Sequence, residues 1–338
     1  MVKQAGVVAW LIGIAALVAV TIWSGLDAVG HAVANVGWGI FLVVMVRGVT
    51  VSVAGMGWWL LFPSKMRPQF QTCISLRFIR EAINVLLPMA QIGGDLIGTG
   101  LLTLYGVQVA LAAASVIVDV LLQAATQFVF AMIGLVSLIA LGADATLAWA
   151  AMLGLGLASL MLAGFYLAQG RGGQRILHIG LNRLAGDRKW SVLGTIDAVY
   201  RNLAEIYEAR SKLVGSLVVH MVGWILGVAE VLIVFAFIGS PISLAEALVI
   251  ESLLHAIRGA AFAIPSALGA QEGGLVLPCA VFGIPTEQAI ALSLVKRAAD
   301  LGLGMPGLIG WQVLEWKHLM PMGTAFKGRK RPLWARMT

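Results

Sequence analysis

Apolar runs of about 20 residues recur along the chain, each long enough to cross a hydrocarbon core and separated from the next by a short polar stretch. They predict spans at roughly 6–23, 37–61, 109–139, 147–168, 214–238 and 288–312. The third run is longer than a bilayer needs, which predicts a tilt or a break near Gln123 to Gln127. Two intervals, Leu76 to Val107 and Pro241 to Pro285, are apolar but interrupted by charge, proline and glycine, so they do not read as simple spans. The stretch "WSVLGTIDAVYRNLAEIYEARSKL" (190–213) sets Val192, Ile196, Val199, Leu203 and Ile206 at helical spacing with charges between them. It predicts an amphipathic helix at the membrane surface, within a cytoplasmic segment at about 171–213.

Charged residues make up only 12% of the 338 positions and hydrophobic ones 60%. A soluble chain carries about 25% charged residues, so too little polar surface is available here to cover a water-soluble globule. The fold class is therefore an all-α polytopic membrane protein. The net charge of +7 gathers in 65–80, 171–212 and 317–336, whereas 26–36, 142–146 and 239–243 contain no Lys or Arg. The positive-inside rule then puts both termini in the cytoplasm. Six crossings satisfy this only if 76–107 enters and leaves from the cytoplasmic side and 241–285 from the outer side, as two re-entrant broken-helix hairpins. The first run is followed by no small-residue cleavage site and reads as a retained span rather than a signal peptide. Residues 1–316 thus form one integral membrane domain, and 317–338 a basic cytoplasmic tail.

Sliding the chain against itself by 177 residues brings Pro88 onto Pro265, Asp95 onto Glu272 and Gly106 onto Gly283, with Tyr105 on Phe282 and Val107 on Ile284. The two copies, about 76–139 and 241–312, have opposite predicted sides, the signature of an inverted-topology repeat. Such repeats place a site near the midplane between broken helices. Backbone within hydrocarbon must be hydrogen-bonded, so an interruption survives only where protein or a wet cavity covers it. Proline removes a donor and glycine permits a tight reversal, which makes Pro88, Gly93, Gly94, Pro265, Gly269 and Gly273 the candidate hinges.

Ionisable side chains crowd these intervals. A charge at bilayer depth costs at least about 2.5–3.5 kcal/mol, so each must face inward and find a partner. The candidate headgroup-binding residues are Arg80, Glu81, Asn84 and Asp95 at the first hairpin, Arg258, Gln271 and Glu272 at the second, and Lys296, Arg297 and Asp300 in the last span. Arg77, Gln91, Glu246, Glu251 and His255 stand close by in sequence. Lys296 and Arg297 are spaced i,i+4 and i,i+3 from Asp300, which predicts local neutralisation and leaves one basic residue to meet Glu272, Asp95 or an anionic headgroup. The plainer reading, that these charges only lock the fold as buried ion pairs, stands beside the functional one. Arg47 and Glu230 are weaker candidates, and the stripe Asp119, Gln123, Gln127 is equally interhelical glue or a substrate lining.

Cys73 and Cys279 show no metal or redox spacing, and GxSxG, HExxH, P-loop and GxGxxG signatures are missing. No catalytic residue, cofactor or metal is expected, and no nucleic-acid partner.

The stretches "REAINVLLPMAQIGGDL" (80–96) and "FAIPSALGAQEGG" (262–274) resemble the signature segments of the lysylphosphatidylglycerol synthase transmembrane region, also described as flippase-like integral membrane proteins. The resemblance covers nearly the whole chain. The second stretch looks most like the hopanoid-biosynthesis-associated branch, although a typical second motif has adjacent glycines soon after the proline where Ser266, Ala267 and Leu268 stand here. What the resemblance implies is a multi-pass protein of the bacterial inner membrane that moves or hands over a lipid, phospholipid or hopanoid, with lipid-biosynthesis enzymes as possible partners. In fused synthases the aminoacyl transfer belongs to a soluble C-terminal domain, so none is expected here. The alternatives are an intramembrane enzyme modifying a hopanoid or polyprenoid, and a scaffold for lipid-pathway enzymes.

Overall fold

A computed structural model describes residues 31, 33–87, 92–142, 145–184, 189–261, 264 and 267–319, and among these it is all-helical. The predicted span at 6–23, the hinges Pro88 and Pro265, Gln91 and nearly all of the basic tail lie outside the described residues. The helices are α1 (Gly39–Leu60), α2 (Phe70–Leu86), α3 (Gly93–Leu104), α4 (Val109–Ala140), α5 (Ala145–Ala168), α6 (Arg171–Leu184), α7 (Lys189–Glu208), α8 (Arg210–Ile238), α9 (Leu244–Ala260), α10 (Ala270–Val281) and α11 (Thr286–Leu319).

Of these, α1, α4 and α8 are long and apolar enough to cross a membrane. A fourth candidate is the pair Met152–Ala168 and Arg171–Ile179, bent by 73° at its break. The sequence pattern for 37–61, 109–139 and 214–238 therefore corresponds to single helices. Of the tilt or break expected in the third run, the break does not occur, and the last span differs in extent. α4 runs unbroken through Gln123 and Gln127, because both side chains find partners that leave the backbone ladder intact. The last predicted span lies within one longer helix, α11, which carries Lys296, Arg297 and Asp300 and is not among the helices that length and composition alone mark as crossings.

The repeat is visible in the helix lengths. α2 and α9 have 17 residues each, α3 and α10 have 12 each, and α4 and α11 have 32 and 34. α3 and α10 begin and end 177 positions apart, and so do the first residues of α4 and α11. The linking turns also agree: Tyr105 and Phe282 have φ of −95° and −94°, and Gly106 and Gly283 follow at +82° and +68°. A side chain at either glycine would be strained in this left-handed region, which is why the glycine pair shows so clearly in sequence. At 1.5 Å per residue, 17 residues cover about 26 Å and 12 cover about 18 Å, each short of a hydrocarbon core of about 30 Å.

Each repeat owns a core. Trp58, Phe62, Leu76, Ile83, Leu102 and Leu111 pack around α2–α4, closed below by Leu203 and Ile206 of α7. Val43, Phe235, Leu254, Leu275, Leu292 and Val295 pack around α9–α11. α1 and α8 lie against each other and contribute to both cores, so the polar residues they carry fall between the two repeats.

Candidate functional site

Two buried ions occupy positions 177 apart, and they have opposite sign. Asp119 on α4 is fully buried and gathers two cations, Arg80 at 2.9 Å and Arg77 at 3.4 Å, together with the His220 ring at 3.1 Å. Lys296, its counterpart on α11, is fully buried and gathers anions: Glu230 at 2.9 Å and Glu251 at 2.8 Å. The repeat thus conserves a buried charge while reversing it. In a low-dielectric interior each centre is tolerable only because its partners neutralise it.

Around the first centre, Arg80 donates from both Nε and Nη2 to Asp95, at 2.9 and 2.6 Å, and its guanidinium lies over Trp58 at 4.5 Å. Asn84 accepts the Gly94 N–H at 2.7 Å. These two α2 side chains therefore hold the first turn of α3, where free N–H groups need acceptors and Asp95 meets the positive helix end. A Cβ at Gly94 would run into the Arg80 carbonyl and the Asn84 amide, so this approach demands glycine. Arg77 donates to Gln123 at 2.7 Å and lies 3.3 Å from Glu81.

Around the second centre, Arg47 grips Glu230 with two nitrogens, at 2.7 and 2.6 Å, and also bonds Asp300. Arg258 reaches Asp300 from the other side at 3.6 Å. Glu251 accepts from His255 at 3.1 Å, and His255 packs edge-on against Trp224 at 4.7 Å. The local neutralisation expected within the last span is replaced by tertiary pairs: Lys296 turns to α8 and α9, and Asp300 to α1 and α9. A helix two turns long can satisfy a charge locally, but here neighbouring helices bring opposite charges closer than the i,i+4 partner.

Glu272 has a different role from the one its sequence position implies. It is completely buried, accepts the Gly269 N–H at 2.7 Å, the Ser293 hydroxyl at 2.9 Å and Arg297 Nε at 2.6 Å, and so caps α10 and ties it to α11. Gln271 beside it donates to the Ser293 hydroxyl at 2.8 Å. Gly269 sits at φ +78° in the turn before α10, whereas Gly273 lies inside α10 with open space where a Cβ would go. Gly93 opens α3. Of the candidate hinge glycines, Gly94 therefore has a packing requirement and Gly269 a backbone one, whereas Gly273 has neither.

A cavity of about 320 Å³ lies between the two repeats. α1 lines it with Arg47 and Thr50, α2 with Arg77, Glu81 and Asn84, α3 with Asp95, and α4 with Gln123 and Gln127. α8 adds His220, Trp224 and Glu230, and α9 adds Glu251, His255 and Arg258. Four of the candidate residues, Glu81, Asn84, Asp95 and Arg258, therefore face this space. The other six, Arg80, Gln271, Glu272, Lys296, Arg297 and Asp300, are not among the residues that line it. Sequence reasoning ranked Arg47 and Glu230 too low and passed over His220 and Trp224; the signal available for His220 was an ionisable residue in the middle of an apolar run. No group of His, Cys, Asp and Glu suited to a metal occurs among the described residues.

A helical, multi-pass membrane protein with a charged cavity between two helical repeats is the class that fold and site define. The chain belongs to the family described as the lysylphosphatidylglycerol synthase TM region, whose profile matches residues 10–307. Neither the curated proteins nor the solved structures contain a match to the chain. Family and fold together give it a membrane-lipid-related role.

Proposed function

We propose that the protein translocates or hands over a lipid, and that the cavity between the repeats receives the lipid headgroup. The observation that carries this reading is the cavity itself: it is walled by charges of both signs that are already paired with one another. Such a wall can exchange an internal partner for a ligand without ever leaving a charge bare in a low dielectric. The α2–α3 and α9–α10 hairpins, read as re-entrant from opposite sides of a bacterial inner membrane with both termini cytoplasmic, would give the two faces alternate access to one site.

Arg258 is the first candidate to meet a phosphate. It lines the cavity, and its pair with Asp300, at 3.6 Å, is the longest of the Arg–carboxylate contacts around the site among the described residues. Arg47, held by a bidentate pair, has more to give up. Glu272, fully engaged as a cap, supports the second hairpin instead of touching the lipid.

The test is a headgroup-flip assay in proteoliposomes, with tagged phospholipid and tagged hopanoid derivative run in parallel because the second motif resembles the hopanoid-associated branch. Arg258→Gln should slow flipping of the true substrate roughly tenfold or more, since a charge-assisted hydrogen bond is worth about 1.5–3 kcal/mol. Equal rates for Arg258→Gln and wild type would remove the cavity from the mechanism.

A further inference from the structure

α6 wears its amphipathicity inside out. Gln174 and His178, one turn apart, both bond the Asp197 carboxylate on α7, at 2.9 and 2.8 Å. These two polar side chains are thus committed to the protein. Ile176 projects about 180° around the helix from that pair. It is 72% exposed, with Leu177 at 45% and Ile179 at 48% beside it. A surface helix in water buries its apolar stripe; α6 turns Ile176 and Ile179 outward instead, so something apolar must cover its outer face.

Geometry and charge say what that is. α5 has 24 residues, about 36 Å, with Leu153, Leu157 and Leu160 exposed, the length and exterior of a membrane span. Where it ends, the chain turns by 73° into α6, so a crossing α5 leaves α6 running close to the plane of the bilayer surface. Arg171 and Arg175 are exposed on α6, Arg183 follows, and the helix contains no Asp or Glu. A second copy offering the same surface would set arginine against arginine with no acid to meet it. An anionic leaflet supplies both the apolar cover and the counter-charge.

We infer that α6 is an interfacial helix that sinks Ile176 and Ile179 among the acyl chains of its own membrane and collects anionic phospholipid at Arg171 and Arg175. This surface is separate from the cavity and independent of what the cavity carries.

The experiment uses the full chain in nanodiscs, with an environment-sensitive fluorophore on Ile176→Cys; Cys73 and Cys279 are both buried and escape labelling. Dilute brominated phosphatidylglycerol and dilute brominated phosphatidylcholine, each in a phosphatidylcholine background, serve as quenchers. A label on Glu205→Cys, an exposed polar position on α7, is the comparison. The expected result is strong quenching at 176, weak quenching at 205, and a preference for the anionic quencher of roughly fivefold per arginine. Arg171→Gln with Arg175→Gln should erase that preference while leaving contact at 176. Absence of lipid quenching at 176 would overturn the inference, as would a 176–176 disulfide formed between copies of the unlabelled Ile176→Cys protein on addition of an oxidant. Equal quenching by the two lipids in the wild type would overturn its anionic part.

Discussion

Replacing Lys296 by Met isolates one buried charge centre. Nζ is completely buried, 2.9 Å from Glu230 and 2.8 Å from Glu251, so the substitution removes a cation shared by two carboxylates. The two do not suffer equally. Glu230 keeps its bidentate Arg47, whereas Glu251 is left with the His255 ring at 3.1 Å. Removing one partner from a buried pair costs about 3–5 kcal/mol, and the retained arginine places this case near the lower end, about 3 kcal/mol. Adding Glu251→Gln should reverse most of the loss, because the amide still accepts from His255 and Glu230 still has Arg47. The double variant is expected within about 1 kcal/mol of wild type, a recovery of about 2 kcal/mol relative to Lys296→Met. Equilibrium unfolding of purified protein in mixed micelles, with the single and double variants side by side, gives these values. Stability of Lys296→Met within about 0.5 kcal/mol of wild type would refute the reasoning, as would a Glu251→Gln change that adds a further loss to the single variant.

Two glycines that look alike in sequence should behave differently. Gly94→Ala drives a methyl into the Arg80 carbonyl and the Asn84 amide and should cost about 1–3 kcal/mol in the same unfolding measurement, whereas Gly273→Ala meets no atom and should be neutral or stabilising by up to about 1 kcal/mol. The α6–α7 latch predicts a pH effect. Gln174 and His178, with a lesser contribution from Arg201, hold the Asp197 carboxyl below the ordinary Asp range. A depressed carboxyl stabilises the fold above its unfolded value, about 4, and that contribution is lost as pH falls through the lower folded value. Pepsin should therefore cut the α6–α7 segment increasingly as pH drops from about 4 toward 2, and Asp197→Asn should be cut at both ends of that window; cleavage of the wild type that does not change with pH would count against the latch.

Membrane class, the principal spans, the offset of 177 and the breaks around α3 and α10 were all readable from the chain, because each depends on neighbours in sequence. Hydrocarbon thickness sets the length of an apolar run, and a glycine at positive φ marks a turn wherever it occurs. The partners of the buried charges were not readable. Arg47 and Glu230 are 183 residues apart and Arg47 and Asp300 are 253 apart, so nothing local distinguishes them from any other polar residue in an apolar run. Proximity to the breaks singled out Glu272, but its partners Gly269, Ser293 and Arg297 come from the packing of α10 on α11. Arg47 stands in the middle of a predicted span, away from both broken intervals, and it is the contact of α1 with α8 that sets it on the cavity wall. Burial and opposition of charge are properties of helices brought side by side, and only the tertiary structure decides which helices those are.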